Sequence, residues 1–458
     1  MAYKPNSDEA RDVAYHMHGY TNAKKHTELG PLIIERGEGI YVYDNEGKKY
    51  IEAMSGLWSA GLGFSEKRLA DVAYTQMLKL PFYHNFTHKS HGPAIDLAEK
   101  LIEIAPVPMS KAFFTNSGSE AIDTALKMIW YRSNAMGKPD KKKIIVRKRA
   151  YHGVTIASSC LTSLPNNHRS FDLIVPDVLR LTCPHYYKDA LPGESETEFA
   201  SRLAQELDDL IQAEGPDTIA AMFAEPAMGA GGVVIPPETY WEKIQAVLNK
   251  YDILLVADEV INGFGRTGKM FGCETYNIKP DMMTLSKQIT SSYLPLSALL
   301  INEKVFEPIA EQSNEIGVFG HGFTAGGHPT PSVVALETIR IIEEENLVDN
   351  CRTAGARLLE GLQKLTDHPL VGEVRGVGLV AAIELVVDKK EKTALDPVGR
   401  LGAIVATELQ NNGVIVRAML DAIAFCPPMI IKNEQIDELL SKIETSLDSA
   451  KNVAFEIE

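Results

Sequence analysis

Two strand-like runs in this sequence end in groups that could serve one reaction: residues 253–258 close on the carboxylate of Asp258, and residues 282–285 are followed by Ser286 and Lys287. Open α/β sheets present ligands to the carboxyl ends of their strands, so both groups would face one crevice. Asp258 there suits a cationic ligand group such as a protonated ring nitrogen, with Glu259 turned away; a carboxylate capping the next loop uses the same residues. A lysine kept dry has a depressed pKa and can form a Schiff base with an aldehyde. An exposed strand-end lysine is the plainer alternative. A third segment builds an anion site. Phe113-Phe114-Thr115-Asn116 runs into Ser117-Gly118-Ser119-Glu120 at the start of an amphipathic helix. Free N–H groups, the positive helix end and two hydroxyls there favour a phosphate. An ordinary N-cap by Ser117 or Ser119 accounts for the same pattern.

The elements that must position these groups follow from periodicity. Residues 39–52 read as a hairpin, with Ile40 and Val42 alternating up to Asp44-Asn45-Glu46-Gly47 and Tyr50-Ile51 leading away. From about 70 to 330, strand-length apolar runs alternate with helical patterns, the signature of an α/β fold with a mostly parallel sheet. Strands are expected at 112–115, 144–147, 219–224, 253–258, 282–285 and 296–301. A helix over 119–134 carries Ala121, Ile122, Ala125, Leu126 and Ile129 on one face. Beyond 335 come a helix at 333–344, a strand at 379–385, a helix at 401–411, a strand at 414–416 and a helix at 433–448. That ordering fits a smaller α+β domain assembled from residues 1–60 and 331–458, around a larger domain at 61–330.

Composition narrows the function. The formal net charge is 46 − 61 = −15 over 458 residues, with 45% hydrophobic and 23% charged residues. This is a globular composition that disfavours nonspecific nucleic-acid binding. Lys141-Lys142-Lys143 reads as a solvated connection from helix to strand. The five cysteines are dispersed and lack C-x-x-C spacing, which argues for a reducing compartment. With no apolar leader and no uncharged stretch of bilayer length, a cytoplasmic protein without a membrane partner is expected. Gly263-Phe264-Gly265-Arg266-Thr267-Gly268 matches a dinucleotide pattern but opens no helix, so it reads as a flexible loop carrying Arg266 near a ligand. His84 and His88, four apart, lack supporting ligands and read as loop histidines; no metal site is expected.

Taken in order, these segments resemble the class III aminotransferases of fold type I, which use pyridoxal 5′-phosphate (PLP). The likeness covers nearly the whole chain. It is carried by Asn116-Ser117-Gly118-Ser119-Glu120-Ala121, Tyr151-His152-Gly153, Ala224-Glu225-Pro226 with Gly229-Ala230-Gly231-Gly232, Asp258-Glu259-Val260, the glycine loop at 263–268, Ser286-Lys287 and His321-Gly322-Phe323-Thr324. The resemblance implies a large domain with a mainly parallel seven-stranded sheet and PLP as cofactor. Lys287 would tether the cofactor and move the proton; Asp258 would keep the pyridine nitrogen protonated. Tyr151 would stack on one ring face and Val260 pack on the other. Ser117, Gly118 and Ser119 would hold the phosphate, with His152 and Glu225 in the cofactor set. Thr324 would reach the phosphate of a neighbouring subunit, making a homodimer, or a tetramer of paired dimers, the active unit. Arg417 matches the arginine that the ω-amino acid:pyruvate branch uses to clamp the acceptor carboxylate and swing away for uncharged amines; a strand-end arginine in a surface ion pair uses the same residue. Leu57, Trp58, Phe86, Ala230 and Ile261 match positions lining the substrate pocket.

The implied reaction is ping-pong transfer from a primary amine or ω-amino acid to an α-keto acid, pyruvate foremost. Aminomutases, racemases and a decarboxylase share this fold and cofactor. A non-catalytic PLP-binding protein and a nicotinamide dehydrogenase are the rivals from other classes. The chain departs from the family pattern at Ile122, at Ala325 and at Leu420, where a glycine is usual. The first two bear on surroundings near the phosphate and the dimer interface, and the third on the swing of Arg417.

Overall fold

The computed structural model describes residues 3–174 and 177–455. Strands β1 (Ile34–Glu38), β2 (Tyr41–Asp44) and β3 (Lys49–Glu52) form the expected hairpin with one further antiparallel neighbour. Asp44 fixes the turn by accepting from the Glu46 and Lys48 N–H groups and from the Tyr50 hydroxyl, as an aspartate does at the head of a turn.

Strands β4 (Lys111–Thr115), β5 (Lys143–Arg147), β6 (Val178–Leu181), β7 (Ile219–Ala224), β8 (Leu254–Asp258), β9 (Met282–Leu285) and β10 (Ser297–Ile301) form a seven-stranded sheet. Their order is β4-β10-β9-β8-β7-β5-β6. The run from β9 to β6 is parallel, and β10 is antiparallel to both its neighbours. Each residue of β7 to β10 is buried, as strands covered on both faces require. The edge strand β6 had no sequence expectation, because Val-Leu-Arg-Leu is half-exposed and too short to stand out. The helix Gly118–Ala135 buries Ala121, Ile122, Ala125, Leu126 and Ile129, the face read from the sequence.

A third sheet contains β11 (Val371–Val377), β12 (Val380–Leu385), β14 (Arg417–Met419) and β15 (Ala422–Phe425), in the order β11-β12-β15-β14. Between them, β13 (Val414–Ile415) pairs in parallel with β3, so segments from both chain ends share one sheet. The strand expected at 414–416 therefore ends one residue early, and the chain passes to another sheet at Arg417. β11 hides in the sequence because its Glu373 and Arg375 look like surface charges. Arg375 is buried and donates to Glu384, Glu373 and the Gly232 carbonyl.

The basic run at 141–143 is a second correction. Lys141 is buried and donates to the Asp252 carbonyl, while Lys142 donates to the Trp130 carbonyl and to Asn134. These ammonium groups tie the end of a helix to the sheet instead of facing solvent. All five cysteines are buried and unpaired. Among the described residues no helix is long and apolar enough to cross a membrane.

Candidate active site

The loops that leave β5, β7, β8 and β9 enclose a cavity of about 750 Å³, lined among others by Tyr151, Glu225, Asp258 and Lys287. Asp258 ends a fully buried strand, and its carboxylate is held from three sides. One oxygen accepts from the Val260 N–H at 3.1 Å and the Thr284 hydroxyl at 3.3 Å; the other faces His152 Nδ1 at 2.7 Å. Glu259 does turn away. It accepts from the Gly272 and Cys273 N–H groups at 2.9 and 2.6 Å, and burial pushes its carboxyl up to about 7.

Lys287 opens a short 3-10 turn, Lys287–Thr290, with its own φ at +50°. A left-handed lysine costs about 1–2 kcal/mol and persists where surrounding contacts over-determine it. Those contacts come from the next residues: Gln288 accepts from the Gly61 N–H and Ser291 from the Leu62 N–H, both at 2.9 Å. Withdrawal from water pulls the Lys287 amine down to about 8, against the opposing pull of the Asp258 and Glu225 carboxylates. Glu225 is itself buried, which raises its carboxyl; it accepts from the Gly229 and Tyr151 N–H groups.

The same cavity is lined by Gly118 and Ser119, the first residues of their helix, whose N–H groups precede any intrahelical acceptor. A Cβ at position 118 would come within 3.2 Å of Val260, which also lines the cavity. Ser117 stands apart from this group. Its hydroxyl caps the helix by accepting from the Glu120 N–H at 3.2 Å, and it is not among the lining residues.

The outer wall is apolar with one cation. Leu57, Trp58, Ala230 and Ile261 line it, as expected, together with Arg417. Gly19 and Tyr20 line it too. They lie in a stretch with no apolar period and no motif, and sequence reasoning missed them. The Tyr20 ring meets Tyr151 edge-on at 6.5 Å, and the Arg417 guanidinium lies 5.7 Å from its centre. Gly153 and Ser286, from motifs already read, also line it, and Met54, Gly56, Ile415, Val416 and Ala418 complete the set.

Two expectations change, those for Phe86 and Arg266, while Thr324 is expected to serve a neighbouring subunit and not its own. Phe86 and Thr324 are exposed and lie outside this cavity; Phe86 instead faces Gly322 at another edge of the sheet. Within one chain neither can touch what Lys287 touches. Arg266 is neither flexible nor at the cavity. It is buried and donates to the Leu379 and Pro427 carbonyls and to Ser55, so the glycine loop joins β8 to the third sheet. Its glycines are needed where φ is positive, at Gly265 (+100°) and Gly268 (+82°). His84 and His88 lie on the loop at 80–91, as read.

These residues fit a phosphorylated pyridine aldehyde. The cavity offers an amine of lowered pKa, a fixed carboxylate, an anion-accepting helix end kept open by a glycine, and a buried histidine whose Nε2 has no partner. Comparison with known proteins agrees. Residues 21–447 match the family model described as aminotransferase class-III. Gamma aminobutyrate transaminase 1, mitochondrial, of Solanum lycopersicum is 49% identical over 422 residues, 92% of this chain and 82% of its own. An ω-transaminase from Pseudomonas jessenii, solved with PMP, is 59% identical, covers 98% of this chain and 99% of its own, and superposes with a TM-score of 0.97. A thermostable ω-transaminase variant carrying W58M, F86L and R417L, engineered for asymmetric synthesis of enantiopure bulky amines, is 58% identical over 98% of this chain and 100% of its own, with a TM-score of 0.97. The chain belongs to the class III aminotransferases, PLP-dependent enzymes of fold type I.

Proposed function

We propose that this enzyme moves an amino group from a primary amine or ω-amino acid to an α-keto acid, with pyruvate as the acceptor, in a ping-pong sequence. One observation carries the reading: among the described residues lining the cavity, Lys287 and Arg417 are the only cations, and the wall beside them is apolar. With Lys287 committed to the cofactor, one guanidinium remains. That matches a monocarboxylate such as pyruvate, whereas a dicarboxylate would leave its second charge against Trp58 and Ile261 without a partner.

PLP, when bound, supplies an aldehyde that exchanges with amines and a ring that takes up electrons as the substrate C–H bond breaks. Lys287 Nζ then serves as tether and, once displaced by substrate, as the base that carries the proton between carbons. Asp258 holds a proton on the ring nitrogen, and His152 fixes the carboxylate for that task. Tyr151 and Val260 pack on the ring, Gly118 and Ser119 hold the phosphate, and Glu225 supports the Tyr151 backbone. Leu57, Trp58, Ala230 and Ile261 receive the apolar part of the amine. Arg417 meets the acceptor carboxylate and withdraws for uncharged amines. The solved relative changed at W58M, F86L and R417L for bulky amines supports these roles, since this chain carries Trp, Phe and Arg at its own positions 58, 86 and 417.

Phe86 and Thr324 enter the reading through a homodimer, in which each chain completes its partner's site; Thr324 would reach the partner's phosphate. Residues 61–330 form the cofactor-binding unit, with 1–60 and 331–458 as the smaller one. We place the enzyme in the cytoplasm on the strength of five unpaired cysteines, while noting that the tomato relative is named mitochondrial.

The test follows the visible band of the lysine-bound cofactor. An aryl-alkyl amine or 4-aminobutyrate should bleach it, and pyruvate should restore it where 2-oxoglutarate does not. Restoration by 2-oxoglutarate at an equal rate would overturn the acceptor. A band unmoved by any amine would favour an aminomutase, a racemase or a non-catalytic PLP-binding protein.

A further inference from the structure

Three histidines and an aspartate near the start of the chain converge on one point outside the cavity. Asp12 lies on the helix Asp8–Tyr15, His16 caps its end, His18 follows two residues later, and His26 belongs to the helix Ala23–Leu29. The Asp12 carboxylate lies 2.8 Å from His26 Nε2, 2.9 Å from His18 Nε2 and 3.1 Å from His16 Nδ1. The rings are packed as tightly as their nitrogens: centroids are 4.5 Å apart for His16 and His18, and 4.2 Å for His18 and His26. His26 is 10% exposed and Asp12 15%, whereas His16 is open to solvent.

One imidazole on a carboxylate is an ordinary surface pair. Three on one carboxylate bring four potential ligand groups to one point. A doubly charged ion suits that convergence. Neutral imidazoles turn lone pairs toward it, and the carboxylate offsets its charge. Three nitrogens and one oxygen form a donor set suited to zinc or another borderline first-row cation, which takes four such ligands; calcium and magnesium want oxygen alone. The ligand atoms of Asp12, His16 and His18 already lie within 4.8 Å of one another; His26 stands outside that trio and meets it at Asp12, 2.8 Å away.

We propose that Asp12, His16, His18 and His26 form a binding site for a divalent first-row transition cation, zinc by ligand type. This revises the sequence expectation that the chain holds no metal site. The site is separate from catalysis yet linked to it by the backbone. Gly19 and Tyr20, which line the active-site cavity, lie between His18 and His26, so a bound ion would close the loop that carries them. Loop closure by a metal removes conformational freedom from the segment it spans. The ion would thus hold Tyr20 against Tyr151 and Arg417.

The experiment uses holoenzyme without an affinity tag, treated with a chelator and then dialysed, and titrates it with Zn²⁺ and with Co²⁺. The expected result is one saturable equivalent per chain, a Co²⁺ d–d band of tetrahedral strength to the red of the cofactor, and a raised unfolding temperature. His18→Ala and His26→Ala, each with its cofactor band intact, should lose that equivalent. His88→Ala, which alters an exposed histidine far along the chain, should keep it. Absence of saturable binding in the unmodified protein, or binding unchanged in both His18→Ala and His26→Ala, would overturn the site.

Discussion

The floor of the cavity and its outer wall are built by different means. Asp258, Glu225 and Lys287 stand at or just beyond the ends of adjacent parallel strands whose residues are all buried. Each is held by backbone N–H groups or by neighbours that are themselves held. Tyr20, Leu57 and Arg417 come from three separate segments laid over the mouth: an N-terminal loop, a turn with left-handed Ser55, Gly56 and Trp58, and the point where the chain passes from β13 to β14. Groups on the sheet can be placed finely because the hydrogen-bond ladders leave them no alternative. Groups on the wall are free to differ, and to move, without disturbing the ladders. The proposed function puts chemistry on the first kind of support and selection of substrate on the second.

The largest effect should come from the floor. Lys287→Ala removes the residue proposed as both tether and base, so turnover should fall by at least about 10³-fold, with cofactor held at most non-covalently; turnover near the unmodified value would break the distinction at once. A pH experiment sharpens it. Because the Lys287 amine is pulled down from the ordinary lysine range to about 8, it is neutral above that pH and protonated below it. Only the neutral amine can attack an aldehyde. Capture of added PLP by cofactor-free protein should therefore level off above about pH 8 and slow roughly tenfold per unit below it, about a hundredfold by pH 6. A rate still climbing toward pH 10 would mean that the floor is not dry.

The same contrast explains what the sequence disclosed. Strand ends are legible: an apolar run closing on Asp258 or on Ser286-Lys287 by itself announces a placed polar group. The helix after Ser117 was legible too, but the division of labour there was not, since Ser117 spends its hydroxyl on the Glu120 N–H and leaves the anion site to Gly118 and Ser119. Segments laid over the mouth carry no such signal. Tyr20 sits in no periodic run, and its role arises only from where the chain crosses the cavity. Arg266 misled for the opposite reason. A glycine-rich loop reads as flexible, yet these glycines serve a tight path whose arginine satisfies carbonyls of two distant segments. Lys141 misled likewise, because a buried cation that donates to a carbonyl has the same letter as a solvated one. Phe86 and Thr324 lie exposed and outside the cavity of their own chain, a placement that no periodicity in the sequence discloses.

On the wall, Arg417→Ala should separate the two half-reactions. Losing a charge-assisted contact costs about 1.5–3 kcal/mol, so transfer to pyruvate should slow by roughly ten- to a hundredfold. Amination of the cofactor by a simple aryl-alkyl amine should change by less than about twofold, as that substrate brings no carboxylate to the guanidinium. Rapid-mixing measurements of each half-reaction read the two numbers directly. Equal slowing of both would show that Arg417 shapes the cavity for every substrate and belongs with the floor.

The smallest effect tests how far the wall is free to move. Leu420 follows β14 and begins the two-residue turn to β15, with Met419 paired to Ala422 across it. Its φ is +56° and its side chain is exposed. A leucine there bears the left-handed penalty of about 1–2 kcal/mol with little burial in return, while a glycine would lose about 0.5–1 kcal/mol of chain entropy on folding. Leu420→Gly should therefore stabilise the protein by a few tenths to about 1 kcal/mol in denaturant unfolding. The neighbouring Asp421 keeps the turn in place in either case, since it accepts from the Gly399 and Gly402 N–H groups at 2.7 and 2.9 Å. Arg417 stands three residues before the substituted position, on the strand that leads into the turn. If that strand is loosely supported, the glycine should also change the ratio of pyruvate to uncharged-amine rates. If the Asp421 anchor governs it, stability should rise with the ratio unchanged, and the wall would then be as firmly placed as the floor at this one point.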